Sequence, residues 1–201
     1  MSSFEIIGGK SLRGEIIPQG AKNEALQVMC AVILTSEKVT ISNVPNIRDV
    51  NQLLGLLSDI GVKIAKIAPE TFTFQADDIN LEYLKTTQFR EKGASLRGSI
   101  MILGPLLARF GKGYIPQPGG DKIGRRRLDT HFIGLQKLGA KFDYALEEGL
   151  YKVDATSLKG CYILLDEASV TGTANIIMAS VFAKGETVIF NAMRTLHCSA
   201  L

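Results

Sequence analysis

One pattern is written three times along this chain: an apolar helical run, a short polar or glycine turn, then a β-rich run. The first copy runs from Asn23 to Leu34, through Thr35-Ser36-Glu37-Lys38, into Val39-Thr40-Ile41-Ser42. The second runs from Ser99 to Phe110, turns at Gly111-Lys112 and continues as Gly113-Tyr114-Ile115. The third runs from Thr173 to Ala183, turns at Lys184-Gly185 and continues from Glu186 to Phe190. The strand starts Val39, Gly113 and Thr187 lie about 74 residues apart in both intervals, a period too long for a thin solenoid unit. The first two copies continue alike. From Asp49 to Ile60, Val50, Leu53, Leu54, Leu57 and Ile60 share one helical face, and Gly61 stops the helix. Leu128, Phe132, Leu135 and Leu138 repeat that face before Gly139. Alternating strands follow each helix, at 62–64 with 71–75 and at 141–142 with 150–153. The third copy reaches Leu201 without a second helix. One such unit cannot bury both faces of its helices. Three units packed around shared inward helices, with their sheets outside, would; the expected fold class is therefore α/β with pseudo-threefold repeated subdomains.

Composition narrows the function classes. A chain with 46% hydrophobic and 21% charged residues is an ordinary globular protein, and 201 residues suffice for a full core. A net charge of +3 is too mild to imply nucleic acid. The one dense basic cluster, Arg125-Arg126-Arg127, lacks the interleaved aromatics of a nucleic-acid surface. Apolar stretches such as Ala25 to Leu34 are too short to span a bilayer, and no charged leader precedes an apolar run, so a cytoplasmic protein is expected. Cys30, Cys161 and Cys198 lack metal-ligand spacing; Cys30 and Cys161 read as small buried hydrophobes, and neither metal nor cofactor is expected.

Three motifs fall at matching places in the repeats: Gly20-Ala21-Lys22-Asn23, Leu96-Arg97-Gly98-Ser99, and the run from Pro118 to His131, Pro-Gly-Gly-Asp-Lys-Ile-Gly-Arg-Arg-Arg-Leu-Asp-Thr-His. In order and spacing they resemble the UDP-N-acetylglucosamine 1-carboxyvinyltransferase family, the enolpyruvyl-UDP-GlcNAc synthases. The resemblance runs from the N-terminus to about Ala192 and implies an inside-out α/β barrel of the enolpyruvyl transferase type. It also implies a division into opening strands over 1–20, a first domain over 21–192 with its third repeat truncated, and an atypical tail over 193–201. Family members are about twice as long, with the active site in the cleft between two similar domains, so a second domain that completes the site is expected to be absent from this chain. The implied reaction carries the enolpyruvyl group of phosphoenolpyruvate to the 3-hydroxyl of UDP-N-acetylglucosamine, the first committed step of peptidoglycan synthesis, with the isolated chain inactive. The rival within the fold acts on shikimate 3-phosphate; its glycine-rich motif before the arginine is replaced here by Gly93-Ala94-Ser95-Leu96-Arg97.

Phosphoenolpyruvate is a small, multiply charged anion, so its site needs several cations and hydrogen-bond donors together. Lys22, Arg97 and Arg126 supply cations from separate repeats, Lys22 as a point charge and the arginines as planar forks. Asn23 opens a predicted helix, whose free N–H groups favour anions. By resemblance, Lys22 and Asp121 are the catalytic residues. Aspartate stands at 121 where the family usually has a cysteine that serves as proton donor, on a loop hinged by Pro118-Gly119-Gly120. A carboxylic acid can take that role when the closed site tunes its pKa, and the alternative is a turn-capping aspartate. The uridine nucleotide would lie along Arg126, Arg127, Leu128, Asp129 and Thr130 and along Glu167, Ala168, Ser169 and Val170. Asp129 is equally a helix N-cap, and His131 either a packing residue or a functional one. Glu167 stands where the family often has lysine, which leaves backbone contacts as the surer link to the nucleotide.

Overall fold

The computed structural model describes residues 3–116 and 127–193. The first repeat contains α1 (Lys22–Ala31), which tightens into a 3-10 turn at Val32–Leu34, then β1 (Lys38–Ile41), α2 (Arg48–Asp59), β2 (Lys63–Ala68) and β3 (Thr71–Gln75). A 3-10 turn at Tyr83–Lys85 and α3 (Thr87–Ser95) lead to the second repeat. There a 3-10 turn at Arg97–Ile102 runs into α4 (Leu103–Phe110), followed by β4 (Lys112–Pro116), α5 (Asp129–Lys137), β5 (Lys141–Ala145) and β6 (Leu150–Asp154). Then come β7 (Tyr162–Leu164), α6 (Val170–Ser180) and β8 (Val188–Phe190). The strands β1, β4 and β8 begin at Lys38, Lys112 and Val188, which keeps the spacing read from the sequence to within two residues.

The helices end where glycine permits a left-handed residue. Gly61 follows α2 at φ 104°, Gly111 caps α4 at φ 65°, and Gly139 follows α5 at φ 108°. The hairpins after α2 and α5 fold back identically, giving two antiparallel sheets of order β1-β3-β2 and β4-β6-β5. In each sheet the hairpin's second strand takes the centre: Val39 and Ile64 both face Phe74, and Gly113 and Phe142 both face Val153. The third unit differs, with β7 and β8 paired in parallel.

The core lies between the sheets, where the first helices of the three repeats meet. α1 and the turn at 97–102 both touch α6, and α4 lies along α6. Close approach here requires glycine. A Cβ on Gly104 of α4 would stand 2.4 Å from both the carbonyl and Oδ1 oxygens of Asn175, and one on Gly134 of α5 would stand 2.1 Å from Ile176 Cδ1. Helices inside and sheets outside is the arrangement that the repeat demanded. No helix among the described residues is long and apolar enough to cross a membrane.

Two expectations change, and two elements are added. Residues 3–20 form no strand, and Phe4, Ile6, Leu12 and Ile16 stay exposed. The apolar sequence there suits a strand, but a strand needs an edge to pair with, and none reaches it among the described residues. Cys161 is half-buried rather than core, its thiol donating to the Lys137 carbonyl at 3.2 Å. Neither α3 nor β7 was foreseen.

Candidate active site

A cavity of about 1020 Å³ opens where the helix beginnings converge. Its wall takes Lys22 and Asn23 from the first turn of α1, Arg48, Asp49 and Gln52 from α2, and Arg97 from the start of the 3-10 turn. Arg127 and Leu128 contribute just ahead of α5, and Ser169 and Thr171 at the start of α6. Helix N-termini carry unpaired N–H groups and the positive end of the dipole, so several pointed at one space favour a bound anion.

Three cations on this wall, Lys22, Arg97 and Arg127, already have partners. Lys22 Nζ is ion-paired with Asp49 Oδ2. Arg127 bridges two carboxylates, Nε to Asp129 Oδ2 at 2.7 Å and Nη2 to Asp166 Oδ2 at 2.9 Å. Arg97 Nη2 donates to the Arg127 carbonyl at 3.2 Å, tying two parts of the wall together. Exposed pairs of this kind are worth about 0–1 kcal/mol each, so an incoming anion can exchange with them at small cost.

A largely buried polar network backs this wall and reaches the cavity at His131 and Thr171. His131 is 3% exposed; its Nε2 lies 3.2 Å from Thr171 Oγ1 and its Nδ1 3.1 Å from Asn175 Nδ2. Burial, reinforced by the positive charge of Arg97, lowers the imidazole pKa from 6.5 to about 4. Asn175 is satisfied on both sides: its Nδ2 also donates to the Ile100 carbonyl at 3.1 Å, and its Oδ1 accepts from Gly104 N–H at 2.8 Å.

Of the residues singled out in the sequence, Lys22, Asn23, Arg97, Arg127, Leu128, His131, Glu167 and Ser169 line this one space. Asp121 and Arg126 lie outside the described residues. Thr130 is buried beneath the wall, its hydroxyl within 3.3 Å of Asp166 Oδ1 and 3.2 Å of Glu167 Oε1. Asp129 caps no helix: Leu128 occupies the N-cap position of α5, and the Asp129 carboxylate turns back to Arg127. Asn23 is the second residue of α1, not its opening one. Ala168 and Val170 lie in the loop and first turn, outside the lining. Ser169 caps α6, accepting from Gly172 N–H at 3.1 Å.

Sequence reading missed Arg48, Asp49, Gln52 and Thr171. Their only signal was position, at or near the starts of helices whose fellows had been singled out. Among the described residues no group of His, Cys, Asp and Glu is arranged to hold a metal ion.

The chain is 58% identical over 192 residues to the UDP-N-acetylglucosamine 1-carboxyvinyltransferase of Bacteroides thetaiotaomicron, a match covering 96% of this chain and 44% of that protein. The enzymes of that name from Porphyromonas gingivalis and Borreliella burgdorferi are 56% and 45% identical, the latter over 201 residues. The chain thus spans under half the length of the curated relatives it matches. Among solved structures, the enolpyruvyl transferase NikO from Streptomyces tendae superposes with a TM-score of 0.73 at 18% identity, covering 96% of this chain and 44% of that one. An EPSP synthase from Acinetobacter baumannii gives 0.69, also at 18% identity, over 96% of this chain and 43% of that one. At such identities the likeness speaks for the fold alone. The family match covers residues 6–201 and so includes the segment 193–201, and by it the chain belongs to the EPSP synthase (3-phosphoshikimate 1-carboxyvinyltransferase) family.

Proposed function

We propose that this chain forms one wall of an active site that transfers the enolpyruvyl group of phosphoenolpyruvate to the 3-hydroxyl of UDP-N-acetylglucosamine, a cytoplasmic step of peptidoglycan synthesis. The observation that carries the reading is the convergence of Lys22, Arg97 and Arg127 with several helix beginnings on a single polar cavity. Identity of 58% to enzymes named for this reaction favours it over the shikimate 3-phosphate reaction for which the family is named. In this reading residues 21–192 make up a first domain, and the remaining length of the relatives supplies the facing wall. The 201 residues alone then bind substrate without normal turnover, since one wall can neither clamp the phosphoenolpyruvate anion from both sides nor exclude water.

In the reaction the sugar 3-hydroxyl gives up its proton as O3 bonds to C2 of phosphoenolpyruvate and C3 gains a proton; loss of a proton from C3 of that adduct then expels phosphate and restores the double bond. Lys22 and Arg97 balance the carboxylate and phosphate charges, exchanging their resident partners for the substrate. Asp121 delivers the proton to C3, a role resting on its place in the motif.

Calorimetric titration of the 201-residue chain tests the reading. UDP-N-acetylglucosamine is expected to bind, shikimate 3-phosphate to give no heat, and phosphoenolpyruvate to bind more weakly than the nucleotide sugar. Tighter binding of shikimate 3-phosphate would move the assignment to the rival reaction.

A further inference from the structure

The Asn175–His131–Thr171 network has one consistent arrangement of protons. The Gly104 N–H can only donate, so the Asn175 atom 2.8 Å from it must be the carbonyl oxygen. The Ile100 carbonyl can only accept, so the atom 3.1 Å from it must be the amide nitrogen. That nitrogen's second proton then faces His131 Nδ1 at 3.1 Å, which must be an acceptor. A neutral imidazole with an accepting Nδ1 carries its proton on Nε2, and Nε2 therefore donates to Thr171 Oγ1. Protonating Nδ1 would set two donors against each other in a site that burial already makes hostile to charge.

Thr171 ends the chain of donors at the cavity, which His131 also lines. Its side chain lines the open space. Its oxygen accepts from His131, and among the described residues no acceptor takes the hydroxyl's own proton. Donors in series polarise one another, so a hydroxyl that accepts from an imidazole is a better donor than a solitary one. Arg97 and Arg127 stand on the same wall and favour negative charge in front of it.

We infer that Asn175 and His131 form a neutral relay that holds the Thr171 hydroxyl as a hydrogen-bond donor to a phosphate oxygen of the bound ligand. Resting on the nucleotide-sugar reading, this adds Thr171 to the residues that touch the diphosphate and makes His131 and Asn175 positioning residues. The relay supplies a donor without a further charge, in a wall whose arginines already balance the anion.

Two probes separate the relay from that reading: UDP-N-acetylglucosamine and inorganic pyrophosphate. Thr171→Val keeps the shape and removes the hydroxyl, and it is expected to weaken pyrophosphate binding about ten-fold, the scale of a hydrogen bond to a charged group. Thr171→Ser keeps the hydroxyl and should bind within about two-fold of the unaltered chain. Nitrogen-15 NMR of His131 near neutral pH should show the Nε2-protonated tautomer, and Asn175→Asp should move the proton to Nδ1 and weaken pyrophosphate binding as Thr171→Val does. If Asn175→Asp fails to fold, the Thr171 pair and the tautomer of the unaltered chain still decide. Equal pyrophosphate affinity for Thr171→Val and the unaltered chain, or an Nδ1-protonated or charged His131 in the latter, overturns the relay. Pyrophosphate binding that depends on Thr171 while the nucleotide sugar fails to bind upholds the relay and removes the nucleotide-sugar reading. If neither probe binds, both are overturned.

Discussion

At the scale of single residues, His131 shows how a side chain with two readings in the sequence acquires one in the structure. Asp129 and Thr130 before it suit a surface histidine and Phe132 and Ile133 after it suit a packed one, so the local sequence does not decide; its side-chain partners, Thr171 and Asn175, lie far away in sequence. The consequence is a pH dependence of stability with a definite sign. The folded-state pKa, about 4, lies below the ordinary 6.5, so between those values the unfolded chain binds the proton more readily than the folded one. This contribution to stability is complete above pH 6.5, falls as the pH drops toward 4, and is constant below. Its size is about 3 kcal/mol from the width of that window. Urea unfolding of the unaltered chain and of His131→Gln, each at pH 7 and at pH 4, isolates it from the carboxylates common to both. The unaltered chain should lose about 3 kcal/mol more than the variant over that interval. Equal losses would mean that His131 is accessible to protons in the folded state. Asp49 teaches the complementary lesson. Nothing in its local sequence distinguishes it from a first-turn aspartate, and only the folded chain brings it to Lys22.

Among the elements, those with strong period or punctuation were legible and those without were not. α2 buries Val50, Leu53 and Leu57, as its 3.6-residue period requires, and Gly61 stops it. Helix α3 has no apolar stripe to announce it; it buries Phe89 and Gly93 and begins at a Thr86 cap that accepts from Phe89 N–H at 3.2 Å. The sequence offered that cap as a signal, and the charged run Arg90-Glu91-Lys92 obscured it. Strand β7 has three residues and owes its existence to β8, a partner more than twenty residues later. A joint between elements was equally invisible. Arg109, in the last turn of α4, donates through Nη1 to the carbonyls of Ile33 at 3.0 Å, Thr35 at 3.1 Å and Ala76 at 2.5 Å, so the second repeat closes the carbonyl ends of the first. Arg109→Ala leaves those carbonyls short of a charged donor and should cost about 2–4 kcal/mol, or roughly 5–10 °C in Tm for a chain of this size. Arg109→Lys should recover part of the loss, because an ammonium keeps the charge without the planar fork. A Tm for Arg109→Ala within about 2 °C of the unaltered chain would show that solvent serves these carbonyls equally well.

For the molecule as a whole, the pseudo-threefold plan was legible because it is a period, whereas the contacts that fuse the three units were not, because they join residues far apart in the chain, such as Gly104 with Asn175 and α1 with α6. Helix α6 is the clearest case. Its residues Thr173, Ala174, Asn175, Ile176, Met178 and Ala179 are buried, and the helix touches helices of both other repeats. Apolar composition alone told only that the helix was inside. The critical contact is Gly104 against Asn175, where backbone meets helix so closely that no side chain fits. The same contact orients the Asn175 amide and, through it, His131, so packing at the centre and the proton arrangement at the cavity depend on one glycine. Gly104→Ala must push α4 and α6 apart, with an expected cost of about 1–3 kcal/mol. If the repeats are joined as one cooperative unit through α6, this loss spreads to α1, which touches α6 and the turn at 97–102 but lies in another repeat. Native-state hydrogen exchange then shows slow amides of α1, α4 and α6 opening with one common free energy in the unaltered chain, and all three falling together in Gly104→Ala. A loss confined to α4 and α6, with α1 unchanged, would mean that the first repeat holds itself together and that the shared core is an arrangement of neighbours rather than one cooperative body.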